Sequence, residues 1–183
     1  MAGLTAPNGN VRNLLTYRKA EIIYDLTFHF AHTFLSRGDR TIDQMIQAAR
    51  SGKQNIAEGS AAGITSMETA IKLVNVAKAS FLELRLDYED FLRVRDLRKW
   101  EKDSKEVSYL RKKAHDESIP GQWFVDLAKS RPAETVANMA LVFLHQEDCL
   151  LQAQLNALER KFLSQGGFRE NLLSARLKAR DGR

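Results

Sequence analysis

Between Leu14 and Ser36, Ile23, Leu26, Phe30 and Phe34 recur at spacings of three and four, which predicts an amphipathic helix. Tyr17, Tyr24, Phe28, Ala31 and Leu35 form a second stripe on another face. A bundle helix needs one apolar stripe, so the second calls for a cover, such as another subunit. Ile42, Met45, Ile46, Ala49, Ile56 and Ala57 predict a second helix over about 41–60. Arg37-Gly38-Asp39 separates the two, with Gly38 as the expected C-cap and Asp39 or Thr41 as the next N-cap. Gly52, inside the second helix, costs about 1 kcal/mol relative to Ala. It points equally to a close approach by a neighbour and to a local kink.

Thr65-Ser66-Met67-Glu68 has the spacing of a capping box. It opens a third helix whose apolar positions, from Ile71 to Leu92, carry it to about Arg98. A fourth runs from Pro132 to about Gln165, along Val136, Met139, Phe143, Leu144, Leu151, Leu155, Leu158 and Phe162, and stops at Gly166-Gly167. Residues 99–131 are the least regular. Trp100 to Ala114 is compatible with an extension of the third helix, Pro120-Gly121 marks a turn, and Trp123 to Leu127 suits one helical turn packing back. The expectation is an all-α, up-down-up-down four-helix bundle with a longer connection between helices 3 and 4 and a basic C-terminal tail. Residues 1–13 form a flexible lead, 14–165 the bundle with its irregular basic insertion at about 99–131, and 166–183 the tail.

Composition refines this little. With 183 residues, 44% of them hydrophobic and 28% charged, one ordered domain is expected. Cys149 is the one cysteine, which excludes an intramolecular disulfide and a Cys-based zinc site. Beside Leu150 and Leu151 it reads as a buried, inert thiol. There is no secretory pattern and no apolar run of about 18 residues, so a cytoplasmic protein without a membrane span is expected.

Charge changes the picture more. The formal net charge is +5, but residues 93–113 alone hold nine basic and four acidic side chains, and residues 160–183 hold seven and two. Each segment is therefore +5 and the remainder −5. Two basic segments on an acidic body suit a polyanion partner, or are simply solvated helix ends. The candidate nucleic-acid contacts are Arg93, Arg95, Arg98, Lys99, Lys102, Lys105, Arg111, Lys112 and Lys113, with Arg176, Lys178 and Arg180 in the tail. Trp100 and Tyr109 interleave with the first set and are placed either to stack on unpaired bases or, for Trp100, to pack on the bundle. Nothing in the pattern reads base sequence.

Asn55, Glu58, Ser80 and Glu83 are expected to form a structural polar network between the second and third helices, fixing register or a subunit interface. Asp25, His29 and His32 share one face of the first helix, but no Glu-x-x-His motif accompanies them, so no metal or other cofactor is expected. No phosphate loop, nucleophile elbow or zinc-protease motif occurs, which argues against an enzyme.

The stretch Asn55-Ile56-Ala57-Glu58-Gly59, together with Tyr24, Leu26, Phe30, Gln44, Ala49, Ser51, Leu73, Ala77, Ser80, Glu83 and Leu84, resembles a bacterial four-helix-bundle family. That family is named for proteins encoded in 23S rRNA intervening sequences, and its relatives include the accessory variability determinant of diversity-generating retroelements. The resemblance covers about residues 17–92 and extends loosely to 165. It implies a homopentameric barrel, and in the retroelement relatives a basic surface that binds reverse transcriptase and nucleic acid. The 93–131 insertion and the tail depart from the family pattern and carry much of the basic charge. The expected function is thus a non-enzymatic, oligomeric scaffold binding RNA or DNA through basic segments, as a reverse transcriptase accessory. The alternatives are a protein-binding adaptor that docks an acidic partner and a metal or small-molecule bundle.

Overall fold

The computed structural model describes residues 10–63 and 65–165, with Leu173, Arg176 and Leu177 beyond them. Every regular element among these is helical. After a short 3-10 turn, Val11–Asn13, the helices are α1 (Leu15–Phe34), α2 (Thr41–Ala62), α3 (Met67–Arg93), α4 (Lys105–His115), α5 (Gly121–Lys129) and α6 (Ala133–Gln165). α1 packs on α2 and α6, and α3 packs on the same two, so the four long helices surround one core. No helix among the described residues is long and apolar enough to cross a membrane.

The helix ends follow local chemistry. Gly38 is not the C-cap of α1, whose last turn opens at Leu35 into extended backbone. Gly38 instead takes φ +90° as the third residue of a turn closed by Asp39 N–H donating to Ser36 O at 2.9 Å. A left-handed φ at that position favours glycine. The Asp39 carboxylate then accepts from Thr41 N–H at 2.9 Å. That bond holds its pKa below the usual carboxylate value. α3 is capped by Ser66, whose hydroxyl accepts from the Thr69 amide at 3.3 Å. The expected Thr65–Glu68 box is therefore displaced by one residue, with Thr69 at its third position.

α3 also stops at Arg93, five residues before its expected end. The stop needs no glycine. Asp96 adopts φ +53°, and two bonds close around it: Leu97 N–H to Leu92 O at 2.9 Å and Asp96 N–H to Arg93 O at 3.3 Å. This is a Schellman-type ending, with aspartate in the left-handed position it tolerates better than most residues. Trp100 to Ala114 is accordingly not an extension of α3. Most of it is the separate α4, capped by Ser104 Oγ accepting from Val107 N–H at 3.2 Å.

Phe30 lies near the centre of the core, 4.9 Å from the Tyr88 ring and 4.8 Å from the Phe91 ring. Tyr88 is fully buried, and its hydroxyl donates to Thr27 Oγ1 at 3.0 Å. Burial disfavours the charged phenolate and raises its pKa. α5 lies against α1 and brings Phe124 edge-on to Phe143 of α6 at 4.9 Å. The Trp123–Leu127 turn thus becomes a nine-residue helix clamped onto the bundle.

A candidate nucleic-acid interface

The early stop of α3 frees residues 94–104 to cross to α6, where Asn138 holds them. Asn138 is 2% exposed. Its Oδ1 accepts from Trp100 N–H at 2.7 Å, and its Nδ2 donates to Arg98 O and Glu134 O, both at 2.8 Å. The Arg98 amide donates to the Glu134 carboxylate at 3.2 Å. An irregular segment has no ladder to satisfy its backbone, so one buried amide that bonds it twice, and its own helix once, fixes it. Replacing Asn138 with Leu strands those backbone groups. The expected loss is about 2–3 kcal/mol, with faster hydrogen exchange at the Trp100 amide, read by denaturant titration and exchange NMR.

Held this way, the segment forms one wall of a groove of about 900 Å³. α4 contributes Val107, Arg111 and His115, four residues apart and so on one face. α6 contributes Leu141, Val142, His145 and Cys149. Leu15 and Lys19 of α1 also line it. Lys19 is 5% exposed, and its ammonium donates to Gln146 Oε1 at 2.9 Å and to Ala114 O at 3.2 Å. Burial lowers its pKa, partly offset by Glu147. His145 is also lowered, by desolvation and then by the charges of Arg85, Lys99 and Arg111. It is a neutral imidazole at pH 7.

The groove gathers three of the twelve expected contact residues, Lys99, Lys102 and Arg111. Lys99 is already paired with Glu89 at 2.7 Å. Arg111 donates to Lys102 O at 3.3 Å, and among the described residues no carboxylate pairs with Lys102 or Arg111. Lys105 and Lys112 lie on the outward face of α4 beside the exposed Tyr109, with the Lys113 ammonium 5.9 Å from the Tyr109 ring centre. The structure does not bring the rest together with these. Arg93 pairs with Asp90 at 2.7 Å, Arg95 stacks over Phe91 at 4.1 Å, and Arg98 reaches Glu106 at 3.5 Å. Arg176 is exposed, whereas Lys178 and Arg180 lie outside the described residues.

The expected polar network is smaller than its sequence outline. Ser51 Oγ and Ser80 Oγ are 2.9 Å apart, and Asn55 Nδ2 donates to Ser51 O at 2.8 Å. Glu58 and Glu83 are exposed and bond to none of the three. Each falls on the solvent side of its helix, where a carboxylate needs no partner. Ser51 is the member that links the other two.

Cys149 also differs from expectation: it is exposed. α6 buries the face through Phe143, Glu147, Leu151 and Gln154, and 149 projects away from it, toward the groove beyond the end of α4. Trp100 packs against the core and lines the groove, while Tyr109 stands free. His29 Nδ1 lies 3.3 Å from Thr33 Oγ1, and His32 meets the Phe28 ring edge-on. Asp25 has its pKa raised by burial against the opposing charge of Lys53. Comparison with protein-family models, curated proteins and solved structures finds no match to this chain, so geometry carries the functional conclusion.

Proposed function

We propose that this chain is a non-enzymatic, self-associating scaffold of the cytoplasm that binds nucleic acid through α4 and the groove beside it. The observation that carries this reading is the placement of Arg111, Lys105 and Lys112 on the two faces of one short helix, with Lys102 in the segment that leads into it, none of them paired with a carboxylate among the described residues. Cations left unpaired on a raised element are free to displace counterions from a phosphate backbone. An up-down-up-down arrangement of α1, α2, α3 and α6 is part of the proposal, and so is membership of the family it resembles. Phe28 on α1 and Val76, Leu82 and Leu86 on α3 are 46–50% exposed, which supports assembly, a pentamer by that resemblance. Service to a reverse transcriptase rests on the resemblance alone.

The test is fluorescence anisotropy with a generic 20-nucleotide RNA across a salt series. Four phosphate contacts give a slope of log K against log salt of about −3. Changing Lys102, Arg111, Lys105 and Lys112 together to Glu is expected to weaken binding at least about tenfold at low salt and to flatten that slope. Salt-independent binding, or a quadruple variant that binds like the parent, refutes the reading.

A further inference from the structure

The groove is deeper and more apolar than phosphate contacts require. Phosphate binding needs cations at a surface, as Lys105 and Lys112 provide. The groove instead gathers Val107, Leu141, Val142 and the Trp100 side chain with the cations Lys102 and Arg111; of the two carboxylates that also line it, Glu101 and Asp148, the second is paired with Lys78. Val107, Leu141 and Val142 are 3–5% exposed, so the floor they form is a strip of the apolar core. His145 adds a neutral ring to the wall. An occupant that satisfies both parts has a flat apolar body and an anionic group a few ångströms away.

We propose that the groove takes an unpaired base of single-stranded nucleic acid, its ring against the Val107–Leu141–Val142 floor and its flanking phosphates on Lys102 and Arg111. This rests on the nucleic-acid reading above and adds strand selectivity to it. A duplex keeps its bases stacked and paired inside, offers the protein phosphates alone, and cannot reach the floor. A single strand gains both terms. Stacking of a base on an aromatic ring, here that of Trp100 beside the floor, is worth about 1–3 kcal/mol, so a preference of about tenfold or more for single strand over duplex of equal length is expected.

Cys149 makes the test direct. It is the sole cysteine, it is exposed, and it lies on the groove wall. A bulky maleimide attached there obstructs the groove and leaves Lys105 and Lys112 untouched; Cys149→Trp does the same by mutation. Affinities for a 12-nucleotide RNA and for the matching duplex are measured at one low salt concentration, on unmodified, labelled and Cys149→Trp protein, with helical content checked by circular dichroism. The expected result is a single-strand preference that falls to about unity on either modification while duplex binding is unchanged. The single strand, but not the duplex, should also slow maleimide labelling several-fold. Equal affinity of the unmodified protein for both strands, or a preference that survives both modifications, overturns the inference while leaving nucleic-acid binding standing. Absence of binding to either strand overturns the parent reading with it.

Discussion

Glu147→Met is expected to stabilise the protein at pH 7.5 by about 1–4 kcal/mol, the range found when a buried ion is replaced by an apolar side chain of similar size. Glu147 is 0% exposed on the core face of α6, and among the described residues neither carboxylate oxygen has a hydrogen-bond partner. The opposing charge that acts on it, Lys19, gives its hydrogen bonds to Gln146 and Ala114 instead. Desolvation therefore prevails over the lysine's attraction and raises the carboxyl well above its ordinary value of 4.5. The direction of the pH dependence follows. Between that value and the raised native one, the folded state holds a proton that the unfolded state has released. Stability is thus greatest, as far as this group is concerned, below the unfolded pKa, and falls as pH rises through the window. Urea titrations at pH 5 and pH 7.5 should show a drop in the parent that is absent in Glu147→Met and in Glu147→Gln. If all three vary alike with pH, Glu147 is ionised and satisfied by Lys19, and the substitution to Met should then destabilise.

Glu147 also shows where sequence reading stops. Its place in the stripe Phe143, Leu144, Glu147, Leu151 is visible in the pattern, and a carboxylate there was the available signal for a buried charge. The long helices are legible because their periodicity is local: each apolar position is defined by neighbours three or four residues away. The end of α3 is less so. Aspartate in a left-handed conformation leaves a fainter trace than glycine, and the charged stretch after it continues a helical composition. The groove is the least legible part. It joins residues of α1, the 99–102 segment, α4 and α6, and no window of the sequence contains more than two of these. Asn138 is the instructive case. Two of its bonds decide the course of a segment some forty residues earlier, and nothing adjacent to it announces that role. Charge density marks residues 93–113 as basic, but not which of their cations are already spent on Asp90, Glu89 and Glu106.

Gly52→Ala is expected to destabilise by about 1–3 kcal/mol, against the gain of about 1 kcal/mol that alanine ordinarily brings to a helix interior. The reversal of sign comes from Phe81. A Cβ on Gly52 would fall within 2.7 Å of the Phe81 ring at Cε2 and closer still to its neighbouring atoms. Phe81 is 3% exposed and has little room to withdraw. The flanking pair removes more of that room, since Ser51 and Ser80, each one residue earlier on its helix, are hydrogen-bonded across the same crossing. A kink at Gly52 is thus not what the glycine serves; α2 runs unbroken through it, and the need is for close approach. Gly59, seven residues on, provides the control. A Cβ there would make ordinary contacts, the nearest being Leu73 Cβ at 3.4 Å, so Gly59→Ala should be neutral or stabilising. Phe81→Leu should cost stability alone yet rescue Gly52→Ala, giving a double variant more stable than the sum of the two single losses. Thermal and urea unfolding of the four proteins decide it. If Gly52→Ala matches Gly59→Ala, the ring yields freely and the α2–α3 spacing is set by the serine pair instead.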